Sequence, residues 1–296
     1  MKIIFDKMQA LGNDGIFINK ENLSDADFNR LIKEKDIRER ICDRNYGIGA
    51  DILTIYEIKK DEAENDQVQS WFFNPDGSPA ELCLNATRCL GLLLKNNLGL
   101  QKFDMISADN IYPVDASDTA KIKVFIEEHI VQSMEKEMGK DCRNHVQAAL
   151  AEFWPESVEK FSLDIATLSV GNPHLVIISK DTEFDDERFA EFKMLIGMLF
   201  SVSDEQTFRK GANVSFASVL SKSKISLEVF ERGVGFTRAC GSAACAAAIA
   251  AFNSNFIKSK VTVVQEGGKL DLTITEDETV IQEGPAYHVF NGEMEV

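Results

Sequence analysis

Two cysteines stand where a thiol can do acid–base chemistry. Cys83 follows Trp71-Phe-Phe-Asn-Pro-Asp-Gly-Ser-Pro-Ala-Glu-Leu and precedes the apolar run Leu90-Gly-Leu-Leu-Leu94. Cys240 follows Leu227-Glu-Val-Phe-Glu-Arg-Gly-Val-Gly-Phe-Thr-Arg-Ala and precedes Ala246-Ala-Ala-Ile-Ala-Ala251. In both places a strand-like stretch and a turn-rich loop lead to a cysteine at the entrance of a helix, with a second cysteine, Cys89 or Cys245, inside it. The repetition points to an internal duplication. A helix N-terminus offers free backbone N–H groups and the positive end of the helix dipole, and both favour thiolate over thiol. Cys89 and Cys245, in the helix bodies, read as small buried hydrophobes. A thiolate on one side of a carbon and a thiol on the other can remove a proton from one face and return one to the opposite face, inverting the centre without a cofactor. The N–H groups after each cysteine can hold a carboxylate and the negative charge that develops beside it.

The elements that must position these thiols are of mixed α and β type. Short β-type runs are expected at 52–58, 71–73, 122–126, 168–170, 175–178, 213–219, 225–230, 261–264 and 270–274. Helices are expected at 25–39, 83–95, within 130–160, at 186–199 and at 240–252. Ile130, Met134 and Met138, then Val146, Leu150 and Phe153, have the spacing of one or two amphipathic helices, expected to decorate the surface. A duplicated chain tends to face its equivalent elements across an interdomain cleft, a favoured place for a ligand. The expected domains are 1–127, carrying Cys83 and joined by a C-terminal strand at 281–296, and 128–280, carrying Cys240 with the helical insertion at 130–160.

The 296 residues carry 32 lysines and arginines against 48 aspartates and glutamates, a net charge of −16. That field repels nucleic-acid backbones and anionic lipid, so neither nucleic acid nor membrane is an expected partner. Hydrophobic residues at 44% and charged residues at 27% are the mix of a folded globular protein. Asp6 and Lys7 interrupt what would have to be a signal-peptide core, and no apolar run approaches a membrane span, so a cytoplasmic location is expected. Six cysteines without a Cys-x-x-Cys pair, and histidines away from zinc-finger spacing, give no expectation of a metal or a disulfide scaffold. Gly47-Ile-Gly49 and Gly233-Val-Gly235 lack the full dinucleotide spacing and a P-loop lysine.

At these residues the sequence resembles the diaminopimelate epimerase family. The resemblance runs through Lys7-Met-Gln-Ala-Leu-Gly-Asn-Asp14, Cys42-Asp-Arg-Asn-Tyr-Gly-Ile-Gly-Ala-Asp51, Phe72-Phe-Asn-Pro-Asp-Gly-Ser78, Glu81-Leu-Cys-Leu-Asn-Ala-Thr-Arg-Cys89 and Ser169-Val-Gly-Asn-Pro-His174. It continues through Ala212-Asn-Val214, Phe230-Glu-Arg-Gly-Val-Gly235, Ala239-Cys-Gly-Ser-Ala-Ala-Cys245, Glu283-Gly-Pro-Ala286 and Val289-Phe-Asn-Gly-Glu293. It implies two pseudo-symmetric α/β domains, each a curled sheet around a central helix, with the active site in the cleft between them and a homodimeric assembly. It implies a cofactor-independent isomerase that interconverts LL- and meso-diaminopimelate on the way to lysine and peptidoglycan. Cys83 and Cys240 match the acid/base pair. Asn85, Gly241 and Ser242, with Leu84 beside them, match the positions that hold the reacting carboxylate. Asn13, Asn74, Asn172, Asn213, Glu231 and Arg232 match the substrate shell, with His174 in support. The family's Gly-Asn-Gly after the first cysteine is Leu84-Asn-Ala86 here, and a glutamate and a glycine near the second have become Phe236 and Ala243. Those changes leave two alternatives standing: an epimerase or racemase of this fold for another amino acid, and a non-catalytic amino-acid-binding homologue.

Overall fold

Glu34 divides the first helical region in two. The computed structural model describes residues 1–60, 66–135, 140–153, 163–180, 183–184, 187–202 and 211–296. Where one helix is expected at 25–39, α1 (Asp25–Lys33) ends at an extended Glu34 and α2 (Lys35–Cys42) begins. The buried Arg38 makes the break tolerable. Its guanidinium donates to the carbonyls of Leu31 at 2.6 Å and Ile32 at 2.7 Å, satisfying oxygens that the interrupted helix leaves open, and to the carbonyl of Gly77 in the β4–β5 turn at 2.8 Å.

The chain forms two units, one comprising Met1–Phe125 with Glu283–Val296 and the other Ile126–Gln282. The first holds β1 (Lys2–Ala10), β2 (Asn13–Asn19), α1, α2, β3 (Ile52–Lys60), β4 (Asp66–Phe73), β5 (Pro79–Ala80), α3 (Leu84–Leu98), β6 (Lys102–Ser107), β7 (Asn110–Asp115) and most of β8 (Ile122–Ile126). The second holds β9 (Val131–Ser133), α4 (Lys140–Phe153), β10 (Leu163–Val170), β11 (Pro173–Ser179), α5 (Ala190–Ser201), β12 (Asn213–Ser221), β13 (Lys224–Glu231), β14 (Gly235–Thr237), α6 (Gly241–Asn253), β15 (Lys260–Gln265), β16 (Gly268–Ile274) and the start of β17 (Val280–Gly284). The last strand, β18 (Tyr287–Glu295), pairs antiparallel with β1 in the first unit.

The two units share one pairing scheme. In the first, β1–β2 is antiparallel, β2–β3 parallel, β3–β4 and β4–β5 antiparallel, β4–β6 parallel and β6–β7 antiparallel. In the second, β10–β11, β11–β12, β12–β13, β13–β14, β13–β15 and β15–β16 repeat that order with the same directions. The duplication read from the two cysteine motifs is therefore a duplication of topology. In each unit the sheet curls around one helix. Every residue of α3 from Leu84 to Leu94 is buried, and α6 is buried on all faces through most of its length. A helix apolar all round can sit only inside a core.

Among the strands not expected from sequence, β6 and β7 alternate but are short, whereas β1 departs from alternation at its charged Lys7. That lysine is buried and bonded to Asp14 Oδ2 at 2.6 Å. In the second unit α4 is more than a surface decoration. Cys142, Val146, Ala149 and Leu150 belong to the same core as Phe192, Ile196 and Phe200 of α5. Met138 and the remainder of that expected segment, 136–139 and 154–162, lie outside the described residues. Among the described residues no helix is long and apolar enough to cross a membrane.

Candidate active site

The first half-site is built at the entrance of α3. Cys83 is the N-cap, in extended backbone, and its sulfur accepts from the Ala86 N–H at 3.4 Å. Its carbonyl accepts from the Thr87 N–H at 2.9 Å and the Thr87 hydroxyl at 3.0 Å. The thiol is thus held on the helix axis, where the first-turn N–H groups lack intrahelical acceptors. Asn13 reaches it from the neighbouring hairpin, with its Oδ1 3.9 Å from Cys83 Sγ. Asn13 opens β2 after the two-residue turn Leu11-Gly12, in which both residues have positive φ, 55° and 80°. That is the hairpin geometry matched to strand twist, here adopted by a leucine at a cost of about 1 kcal/mol or more.

An ionic cluster fixes the base of the same hairpin. Arg44 bonds Asp14 and Asp51 at 2.7 Å each, Lys7 bonds Asp14 and the Gly49 carbonyl, and the Asp14 and Asp51 backbones pair with each other's carboxylates. Burial alone would raise the Asp14 carboxyl, but the bonds from Arg44 and Lys7 and the lysine charge hold it well below the usual carboxylate range. Asp51 moves the opposite way, raised by burial and by the Asp14 charge. Asn74 lies in the turn between β4 and β5, where its Nδ2 donates to Ser78 Oγ at 3.0 Å and its backbone closes the turn. Asn85 is buried, its Oδ1 accepting from Arg88 Nη2 at 2.5 Å.

The second half-site is at the entrance of α6. Cys240 is again an extended N-cap, buried, with Sγ 3.5 Å from Ser242 Oγ. Its N–H donates to Gln265 Oε1 at 2.8 Å. Gln282 Nε2 donates to the Gly241 carbonyl at 2.9 Å and to Cys245 Sγ at 3.2 Å. Neither glutamine was singled out in sequence. The available signal was a polar side chain on the inward phase of an alternating strand, in β15 for Gln265 and in β17 for Gln282.

Asn172, His174, Asn213 and Arg232 cluster at the starts of β11 and β12, with Glu231 adjoining them at the end of β13. His174 and Asn213 are register partners on the parallel strands β11 and β12. Asn213 Oδ1 accepts from the Arg232 N–H at 2.9 Å, and Asn172 Oδ1 lies 2.9 Å from His174 Nε2. The carbonyl ends of both asparagine amides are thereby engaged within the protein, so their N–H₂ ends are the ones turned to other partners. The Thr237 hydroxyl donates to Glu231 Oε1, tying β14 and the approach to Cys240 onto β13. Burial, and then the Arg232 charge, push the His174 imidazole down to about 3. At neutral pH it is an uncharged support.

Three of the departures noted in sequence, Leu84, Ala86 and Ala243, are taken up by packing, and Phe236 is 42% exposed. Leu84 and Ala86 lie inside α3 and are buried, at helical dihedrals that any residue adopts. Phe236 sets its ring 5.1 Å from Phe230, edge to face, and 6.4 Å from Phe216. Cys89 is fully buried, which raises its thiol far above the usual range, and Cys245 is equally enclosed.

A diaminopimelate epimerase from Rickettsia felis is 34% identical over 99% of this chain and 97% of its own length. The chain belongs to the diaminopimelate epimerase family. A relative from Natranaerobius thermophilus carrying the same name is 31% identical over 98% of this chain and 97% of its own. The model of the diaminopimelate epimerase family matches residues 166–289, the stretch that carries the second half-site. Among solved structures, a hydroxyproline epimerase from Agrobacterium vitis superposes with a TM-score of 0.65 at 10% identity, covering 99% of this chain and 91% of that one. A phenazine biosynthesis protein of the PhzF family from Enterococcus faecalis gives 0.62 at 14%, with both chains fully covered. At that identity these two share the fold with the family member described here, a mixed α/β chain with curled sheets.

Proposed function

We propose that the chain is a diaminopimelate epimerase, a cofactor-independent isomerase in which Cys83 and Cys240 act on one α-carbon from opposite faces. The observation that carries the reading is the equivalence of the two thiols: each caps a core helix at the same place in a duplicated topology. One sulfur, as thiolate, takes the α-proton, and the electron pair is left on the carbon and shared with its carboxylate. The other sulfur, as thiol, delivers its proton to the opposite face. The enzyme is regenerated with the two protonation states exchanged, ready for the opposite isomer.

A turnover of about 10 per second needs a barrier near 16 kcal/mol, and acid–base help supplies only about 3–5 kcal/mol of the reduction. The rest falls to the first-turn N–H groups of α3 and α6, at Leu84, Asn85, Gly241 and Ser242, which bind the carboxylate as its negative charge grows. Asn13, Asn74, Asn172, Asn213, Glu231 and Arg232 recognise the remainder of the substrate, including its second amino-acid end. The amide donors of Asn172 and Asn213 with Arg232 suit a carboxylate, and Glu231 suits an ammonium. His174 holds Asn172. Incubation with LL-diaminopimelate in D₂O is expected to give meso product carrying α-deuterium. Unlabelled, unconverted substrate would refute the reading.

The working form is a cytoplasmic homodimer. Ile4 on β1 and Tyr287 and Val289 on β18 are exposed apolar residues on paired strands, a surface that a second copy can cover. Sedimentation equilibrium is expected to return twice the chain mass of 33.0 kDa, and a value of one chain would remove the dimer.

A further inference from the structure

Arg88 lies one turn into α3 and has no exposed surface. Enclosing a guanidinium costs several kcal/mol unless its donors are met, so a buried arginine this close to a reactive thiol is there for a reason. Its Nη2 donates to Asn85 Oδ1 at 2.5 Å and its Nη1 to the Leu84 carbonyl at 3.4 Å. Those are the two residues that directly follow Cys83. The Leu84 carbonyl and the Asn85 N–H belong to one rigid peptide plane, so holding the oxygen also aims the N–H. That N–H belongs to the first turn of α3, at the positive end of the helix dipole.

We propose that Arg88 is a positioning residue for substrate binding: its guanidinium fork fixes the Asn85 amide and peptide plane and sets a buried positive charge behind the anion-binding end of α3. The inference rests on the epimerase reading of Cys83. A lysine can replace the charge but not the fork, since an ammonium cannot hold two acceptors in one plane. The two contributions are therefore separable.

The test compares wild type with Arg88→Lys and Arg88→Gln, each checked for folding by circular dichroism. Two quantities are read: steady-state kinetics on LL-diaminopimelate, and the rate of Cys83 alkylation by iodoacetamide in unliganded protein near neutral pH. Arg88→Lys is expected to raise KM about tenfold with kcat within about threefold, and to leave Cys83 alkylation within about twofold. Arg88→Gln is expected to raise KM similarly and to slow Cys83 alkylation by about fivefold or more, because the charge that favours thiolate is gone. Unchanged KM in the folded variants overturns the positioning role. If the glutamine variant does not fold, the lysine variant decides on KM alone. Absence of turnover in wild type indicts the epimerase reading, and alkylation then judges Arg88 by itself: equal rates in all three proteins overturn the inference.

Discussion

Replacing either Cys83 or Cys240 by alanine is expected to lower turnover of diaminopimelate by about a thousandfold or more, with α-deuterium uptake lost alongside it. A positioned acid or base contributes about 10²–10⁴ to the rate, and a two-base inversion fails when either member is missing. Cys89→Ala and Cys245→Ala are the controls. Both thiols lie inside helices, and the buried Cys89 resists ionisation. Their loss is expected to leave kcat within about threefold and to cost stability of about 1 kcal/mol, the ordinary effect of trimming a packed side chain. Cys245 touches Gln282, which holds the Gly241 carbonyl, so the larger change of the two is expected there. The measurement is isomer ratio and deuterium content after incubation in D₂O, beside urea unfolding of each variant. Full activity in Cys83→Ala or Cys240→Ala would end the two-thiol mechanism.

The second large effect belongs to Asp14. Asp14→Ala leaves the Lys7 ammonium, only 8% exposed at its side chain, without its carboxylate, while the Asp51 N–H keeps the Asp14 backbone carbonyl at 3.0 Å. Arg44 is more than half exposed and can turn to water, so the expected loss comes chiefly from the buried lysine, about 3–5 kcal/mol for a broken buried pair. The hairpin that presents Asn13 to Cys83 is tied down by the same cluster, so activity is expected to fall with stability.

The pH dependence has a definite sign. The Asp14 carboxyl is lower in the folded chain than the unfolded value of about 3.9, so its contribution is fully present above that pH and is lost as the pH falls through the folded value. Asp51, raised in the folded chain, works in the opposite sense: its ionisation costs stability above the unfolded value. The gap in urea midpoint between wild type and Asp14→Ala is therefore expected to be constant from about pH 5 to 8, to begin narrowing near the unfolded value of about 3.9, and to go on narrowing as the pH falls toward the low folded value. A gap of the same size at pH 5 and at pH 2 would mean that the loss is packing and not charge.

Leu11 and Lys7 mark where local reading fails. A leucine at positive φ and a lysine inside a strand are both locally unfavourable, so nothing in the first fifteen residues suggested the hairpin that carries Asn13. Asn13 itself was legible through the family resemblance alone. Glu34 likewise breaks a helix whose periodicity continues through it, because Arg38 supplies the cap from the next helix.

By itself, the sequence determined the mixed class, the duplication, the two thiols and the helices they cap. Each is a local pattern: a cysteine before an apolar run, repeated once, specifies a helix entrance wherever the chain goes. Only the tertiary structure decided that the two units repeat strand for strand, that Gln265 and Gln282 fasten the second entrance, and that Leu84 and Ala86 are absorbed into packing while Phe236 stays partly exposed. It alone decided that Arg88 is buried against Asn85. Those facts depend on which distant segments meet, and a buried polar group declares itself only by the partner that makes its burial tolerable.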